Sequence, residues 1–323
     1  MIVLGIESTA HTFGISILKD KKFLCNLRDM YTTKKGGIIL DDATKHHRKV
    51  ANSLYEKALK QSKIKENQIN VIAYSNAPGL APCLIAGRDF AKKLALKLKV
   101  PLVPVNHCIA HLEIGEITRA KDAVLLYCSG ANTQVIAYAS GKYRVFGETL
   151  DIGVGNFIDA FARTAGLGFP AGPKIGELAK KSKKFIELPY NVKGMDVAFS
   201  GLLTNLKQRL GKYELEDLSF SLQETAFAML IEVAERAMAH LNKKELLLGG
   251  GVACNKRLQQ MAKIMCKERK AKFFVPEKEF LVDNAGMIAW LGKKMFKKGI
   301  KINPKRSDID PRQRTDDVNV TWK

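Results

Sequence analysis

Ile2-Val3-Leu4-Gly5-Ile6 leads into a polar turn, Glu7-Ser8-Thr9-Ala10-His11-Thr12, and the chain returns through Phe13-Gly14-Ile15-Ser16-Ile17-Leu18. β-Branched and apolar residues on both sides of the turn read as two short strands. The plan recurs about half a chain later as Val124-Leu125-Leu126-Tyr127-Cys128, the turn Ser129-Gly130-Ala131-Asn132-Thr133, and Gln134-Val135-Ile136-Ala137-Tyr138. Two such starts predict a duplicated fold.

Between and beyond them, the spacing predicts helices over 40–62 and 85–98, a buried strand over 71–75 running into the turn Ala77-Pro78-Gly79-Leu80-Ala81-Pro82, a long amphipathic helix over 219–241, and a strand over 246–248 entering Gly249-Gly250-Gly251. Alternating strands and helices predict α/β architecture with mixed sheets. The 323 residues, 46% of them hydrophobic, suffice for two lobes. These are expected over 1–120 and 121–323, with the final tail packing back on the first lobe. The tail after Asn303, rich in Asp, Arg and Lys, reads as an extended or helical surface segment.

No apolar run approaches the roughly 18 residues needed to span a bilayer, and no charged leader precedes Ile2. The six cysteines (Cys25, Cys83, Cys108, Cys128, Cys254, Cys266) form no Cys-x-x-Cys pair. Disulfide scaffolds and cysteine zinc sites are therefore not indicated, and a cytoplasmic protein without membrane contact is expected. With 53 Lys+Arg against 32 Asp+Glu, the net charge of +21 suits a polyanionic partner, because basic groups gain affinity by displacing counterions. A lysine-rich surface favouring solubility or thermal stability explains the same number.

Pro101-Leu102-Val103-Pro104-Val105 reads as a strand and Asn106 as the cap of a helix, which puts His107 and His111 on one helical face. That spacing presents two imidazoles to one metal ion; it also suits histidines that merely pack. Cys108 stands where a zinc protease carries its general base. Asp283, at a strand-to-helix junction, is a further candidate ligand or a plain helix cap. The 129–133 turn and the glycine run before Asn255 bring backbone close to a phosphate or a flat ring. Residues 151–163 look like a helix start, and Asp159 inside that helix can accept hydrogen bonds from ribose hydroxyls or remain an ordinary solvated or salt-bridged helix residue.

Together these segments resemble the universal family that makes threonylcarbamoyladenosine (t6A) in tRNA, in particular its archaeal and eukaryotic branch, the catalytic subunit of the KEOPS complex (the TsaD family). The matching stretches include Gly5-Ile6-Glu7-Ser8-Thr9-Ala10, Asp41-Asp42-Ala43-Thr44-Lys45-His46-His47, Asn106-His107-Cys108-Ile109-Ala110-His111, residues 129–134, 151–163, 170–172, 199–202, 249–258 and 283–289, and the tail over 310–318. They run in order over nearly the whole chain. The resemblance implies the duplicated actin-like, sugar-kinase and heat-shock-ATPase (ASKHA) fold, two lobes around a nucleotide cleft. It implies one iron or zinc ion held by His107, His111, Tyr127 and Asp283. Nucleotide contacts are implied at Tyr127, Cys128, Ser129, Gly130, Ala131, Asp159, Gly172 and Asn255.

Some positions depart from the family pattern. Ala131 replaces a usual glycine, as does Ala77, and Gly286 a usual alanine. Gly176 stands where an acidic ribose contact is common, and Glu177, one place later, is carried as its substitute nucleotide contact.

The implied reaction moves the threonylcarbamoyl group from threonylcarbamoyl-adenylate to N6 of the adenosine just 3′ of the tRNA anticodon (position 37), releasing AMP. The implied partners are the tRNA anticodon arm, a small atypical kinase, a small dimerising subunit, a further small subunit, and a separate adenylate-forming enzyme. Positioning and metal polarisation carry this reaction without a covalent cysteine. His46 and His47 are expected either to face tRNA or to lie on a surface helix, and the tRNA track to run over 19–65 and 293–314. The competing readings are a sugar-kinase-like phosphotransferase on the same fold and a non-catalytic nucleic-acid-binding module.

Overall fold

The computed structural model describes residues 1–33, 37–168 and 171–323; Pro170 of the 170–172 stretch, and Lys34 and Lys35 of the lysine-rich region, lie outside the described residues. The chain forms β1 (Ile2–Glu7), β2 (Thr12–Lys19), β3 (Lys22–Met30), α1 (Leu40–Ser62), β4 (Val71–Ala77), α2 (Ala81–Leu98), β5 (Leu102–Asn106) and α3 (His107–Glu113). It continues through β6 (Val124–Cys128), β7 (Thr133–Ala139), β8 (Lys142–Glu148), α4 (Val154–Thr164), α5 (Gly172–Ala179), β9 (Val192–Lys193), β10 (Asp196–Val197), α6 (Ser200–Arg209) and α7 (Leu215–His240). The last elements are β11 (Glu245–Gly249), α8 (Lys256–Glu268), β12 (Lys272–Phe274), α9 (Lys278–Leu281) and α10 (Ala285–Lys297).

The duplication expected from the two strand-turn-strand starts is present. One five-stranded sheet has the order β3-β2-β1-β4-β5 and the other β12-β11-β6-β7-β8. In each, the first strand pairs antiparallel with its hairpin partner on one side and parallel with a later strand on the other. Each lobe therefore has the same plan, and the fold is the α/β, ASKHA-type duplication.

Strand parity decides what each face touches. In β1, Leu4 and Ile6 pack with α1 and α2 residues such as Leu54 and Phe90, whereas Val3 faces the core that holds Met287 and Leu291 of α10. In β6, Val124, Leu126 and Cys128 join an outer core with Phe157, Phe161 and Leu222, whereas Leu125 and Tyr127 face inward. Helices α3 and α10 thus lie between the two sheets, in one core shared by both. Gly5 makes that placement possible: a Cβ there would sit 2.3 Å from the Ala285 carbonyl oxygen and 2.8 Å from the Ala289 nitrogen.

The tail runs as an extended and mostly exposed segment, as expected, but it is anchored at several points. Ile302 pairs with Leu102 at the edge of the first sheet, the Tyr74 hydroxyl donates to the Asp308 carbonyl at 2.8 Å, and Gly79 N–H donates to the Pro311 carbonyl. Further on, Arg314 reaches Glu148 on β8, and Trp322 is buried. The charges that made this stretch look solvated are partly consumed by these contacts, and the irregular backbone carries no periodicity that would mark its buried side chains.

Because the obstruction at Gly5 is backbone on α10, Gly5→Ala is expected to cost about 1–3 kcal/mol. A fall in the urea midpoint without a change in far-ultraviolet circular dichroism of the folded protein is the expected measurement.

Candidate metal centre

Helix α3 starts where β5 ends. Asn106 closes the strand and its Oδ1 accepts the Ile109 N–H at 3.1 Å, the cap read from the sequence. His107 and His111 then share a face, their ring centroids 4.8 Å apart and edge-on. Tyr127 enters from the inner face of β6. Asp283 precedes α10, but Asn284 is the cap, its Oδ1 accepting the Met287 N–H at 3.0 Å. The Asp283 carboxylate is left facing the histidines.

Four polar side chains from three parts of the sequence meet here. His107 Nε2 lies 3.1 Å from the Tyr127 hydroxyl and 3.3 Å from Asp283 Oδ1, and His111 Nε2 lies 3.7 Å from the same carboxylate oxygen. Bonds of about 2.0–2.2 Å in a tetrahedral shell separate ligand atoms by roughly 3.3–3.6 Å, so this spacing fits one ion. A second observation agrees: His111 is buried, and among the described residues neither of its ring nitrogens has a partner within hydrogen-bond distance. A buried imidazole left so is costly unless it ligates. The mixed imidazole, phenol and carboxylate donors suit iron or zinc alike.

Burial works against charge on His107, yet the Glu7 carboxylate, the Tyr127 oxygen and Asp283 outweigh it and hold the imidazole well above its ordinary pKa. Burial pushes His111 down. Asp283 is raised by burial, but the two imidazoles beside it win and hold it well below the usual carboxylate range.

Glu7 was not legible as part of this site. It is fully buried, its Oε2 is 3.0 Å from His107 Nδ1, and its Oε1 accepts the N–H and O–H of Thr9 at 2.7 and 2.6 Å. A carboxylate on Nδ1 fixes the ring so that Nε2 faces the ligand position. The one signal in the sequence was a carboxylate at the end of a buried strand.

Beside the cluster lies the second group of expected residues. In the turn after β6, Ser129 N–H donates to the Asn132 carbonyl, and the Ser129 and Gly130 carbonyls accept the Gly155 and Asn156 N–H groups at the start of α4. Ala131 is not among the residues with positive φ, so its Cβ adds no backbone strain. Gly250 has φ +87° and would carry a Cβ 2.3 Å from the Cys128 carbonyl oxygen, so only glycine brings the end of β11 against this turn. Asp159 accepts the Ala171 N–H at 2.8 Å, next to Gly172. Asn255 caps α8 through the Arg257 N–H at 2.8 Å and donates to Gln223 at 2.9 Å.

Glu177 is not brought into this group; it is exposed and pairs with Lys180 at 2.6 Å. Gly176 faces it instead, since a Cβ there would lie 3.5 Å from Asn255 Nδ2. His47 is fully buried against Phe13, and His46 pairs with Asp29 at 2.8 Å, so the first of these two histidine positions to meet solvent is His46 alone.

If the cluster is a metal centre, Zn²⁺ stabilises the folded chain by mass action, about 2.7 kcal/mol at a hundredfold excess over the dissociation constant. The melting temperature is expected to rise with zinc for the parent chain. Under the same titration it should stay flat for His107→Ala and His111→Ala.

Comparison with known proteins adds the following. The family described as tRNA N6-adenosine threonylcarbamoyltransferase (TsaD) matches residues 24–290. A protein of Thermococcus sibiricus named tRNA N6-adenosine threonylcarbamoyltransferase is 53% identical, with 100% of both chains covered. A protein of Methanocaldococcus jannaschii, named as a probable bifunctional tRNA threonylcarbamoyladenosine biosynthesis protein, is 51% identical, over 100% of this chain and 60% of its own. Among solved structures, full-length HypF in a phosphate- and nucleotide-bound form aligns with a TM-score of 0.62 at 11% identity, over 91% of this chain and 46% of that one. At such low identity the likeness is one of fold.

Proposed function

The chain belongs to the TsaD family of tRNA N6-adenosine threonylcarbamoyltransferases, acyltransferases that modify tRNA, and from this we propose how its own residues carry out that transfer. The threonylcarbamoyl group passes from threonylcarbamoyl-adenylate to N6 of adenosine 37, and AMP leaves. The observation that carries the residue assignment is the meeting of His107, His111, Tyr127 and Asp283 around a point that fits one ion.

In this reading these four side chains hold one iron or zinc ion, which when bound polarises carbonyl or phosphate oxygens. Glu7 and Thr9 orient His107. The turn from Cys128 through Ala131, with Asp159, Gly172 and Asn255, receives the adenylate beside it. Asp159 supports this reading as a half-buried carboxylate beside Gly172, with its pKa raised by burial. The exocyclic amine is a weak nucleophile, so most of the acceleration comes from holding the two reactants in line. Burial pushes the Cys108 and Cys128 thiols up, which argues against a thiolate nucleophile.

The lobes are proposed as 1–120 and 121–323, with α10 and the tail returning to the first. The +21 charge supports a tRNA partner bound by its anticodon arm. Not all of the expected basic track is available for it. Lys293 is buried, donates to the Asp20 carbonyl at 2.8 Å and lies 3.8 Å over the Trp290 ring; burial lowers its pKa to about 8. Lys294 is bound by Glu113 and Glu116. The exposed remainder, chiefly along 19–65, is left to meet phosphates.

The proposed setting is the cytoplasm, within a KEOPS assembly of small kinase, dimerising and further small subunits, fed by a separate adenylate-forming enzyme. Among the described residues no helix is long and apolar enough to cross a membrane.

The test combines the protein with tRNA, threonine, bicarbonate, ATP, an adenylate-forming enzyme and the partner subunits, followed by mass analysis of the digested tRNA. The modified nucleoside is the expected product; its absence with every component present overturns the reading. The open position at Gly176 offers a second check. Gly176→Glu should bring a carboxylate beside Asn255 and tighten AMP binding about threefold to tenfold, the worth of one added hydrogen bond.

A further inference from the structure

Helix α3 has seven residues, fewer than the roughly 12–15 an isolated helix needs to persist. Something outside it must fix its register. The sequence from 302 to 323 touches it at both ends and on one flank. At the start, Asn106 Nδ2 donates to Gln313 Oε1 at 3.1 Å. That bond sets which way the capping amide faces, and so keeps its oxygen on the Ile109 N–H. On the flank, the buried Thr315 lies against the Cys108 thiol. At the far end, Trp322 Nε1 donates to Glu113 Oε1 at 2.9 Å.

Glu113 is itself buried, and it also accepts from the Tyr143 hydroxyl and from Lys294. It therefore ties α3 to β8, to α10 and to Trp322 at once. The segment making these contacts is tethered independently of α3. Ile302 and Asp308 hold it to the first lobe, and Arg314 pairs with Glu148 on the second at 3.3 Å. Lys323 Nζ lies 4.2 Å over the Tyr138 ring.

We propose that residues 302–323 act as a splint for the metal-ligand helix, with Gln313 and Trp322 as positioning residues that set the geometry of His107 and His111 from outside the site. Neither touches a ligand atom. Their effect passes through Asn106 and Glu113, which bracket the two histidines. The inference rests on reading His107, His111, Tyr127 and Asp283 as a metal centre. Loosening either clamp lets α3 fray at one end, and a ligand pair that must be held against a metal then opens more often. The consequence is faster metal release, with little effect on the ligand set itself.

The experiment measures zinc release from the loaded full chain into a chelator in excess, together with the melting temperature of each metal-free protein. Trp322→Phe keeps an aromatic ring in place but removes the N–H donor; Gln313→Leu removes the acceptor from Asn106. Each is expected to release zinc about tenfold faster than the parent, within the range found when groups behind metal ligands are changed. Gln313→Glu keeps an acceptor oxygen and should restore the parent rate. Leu206→Ala, a core truncation in α6 away from α3, should lower the melting temperature and leave release unchanged.

Parent-like release from both Trp322→Phe and Gln313→Leu overturns the splint while leaving the metal centre standing. Release from Leu206→Ala as fast as from these two also overturns it, since general loosening then accounts for the effect. A parent chain that binds neither zinc nor iron removes the metal centre and the splint with it.

Discussion

The molecule is organised around a short helix that cannot stand alone. Helix α3 carries two buried imidazoles, and burying them without partners is unfavourable unless the surrounding groups are held in place. Ile109 and Ala110 anchor it in the shared core, and Glu7 reaches it from the end of β1. Tyr127 and Asp283 approach from the second sheet and from the start of α10. Each lobe therefore supplies a wall of the same small polar pocket, and neither could shift far without leaving a buried charge exposed to the other side.

Close approach makes this possible, and it is purchased with small residues at a few positions. Gly5 lets α10 lie against β1, and Gly250 lets the end of β11 lie against Cys128. The first places Asp283 and the second places the glycine run that leads to Asn255. Backbone geometry at two glycines thus positions both Asp283, the acidic member of the proposed metal cluster, and one wall of the proposed nucleotide site.

Features with local causes were legible in the sequence. The helix over 40–62 has the bounds expected, because its apolar stripe is long and periodic, and Asn106 caps α3 because its side chain needs only the amide three residues on. The repeated strand-turn-strand plan foretold two sheets of matching order. Features that depend on distant pairing were not legible. Glu7 looks like any acidic turn residue until β1 is laid beside α3. His47 sits in a charged stretch but turns inward under Phe13. Lys293 reads as surface charge and instead donates to the Asp20 carbonyl, 273 positions away. Polar residues carry no periodicity when their partners lie tens to hundreds of positions away.

The placement of α10 has a consequence for how the chain comes to be folded during synthesis. Its residues cover one face of the first sheet, the face on which Val3, Val71, Ala73, Val103 and Val105 lie. That sheet is complete by Asn106, whereas α10 begins at Ala285. At a translation speed of about 5–20 residues per second, the roughly 180 intervening residues take on the order of 10–35 s to appear. Throughout that time α3 and the inward-facing residues of β6, β7 and β11 can cover that face only in part, and so its native packing is completed only once the far end of the sequence has been delivered.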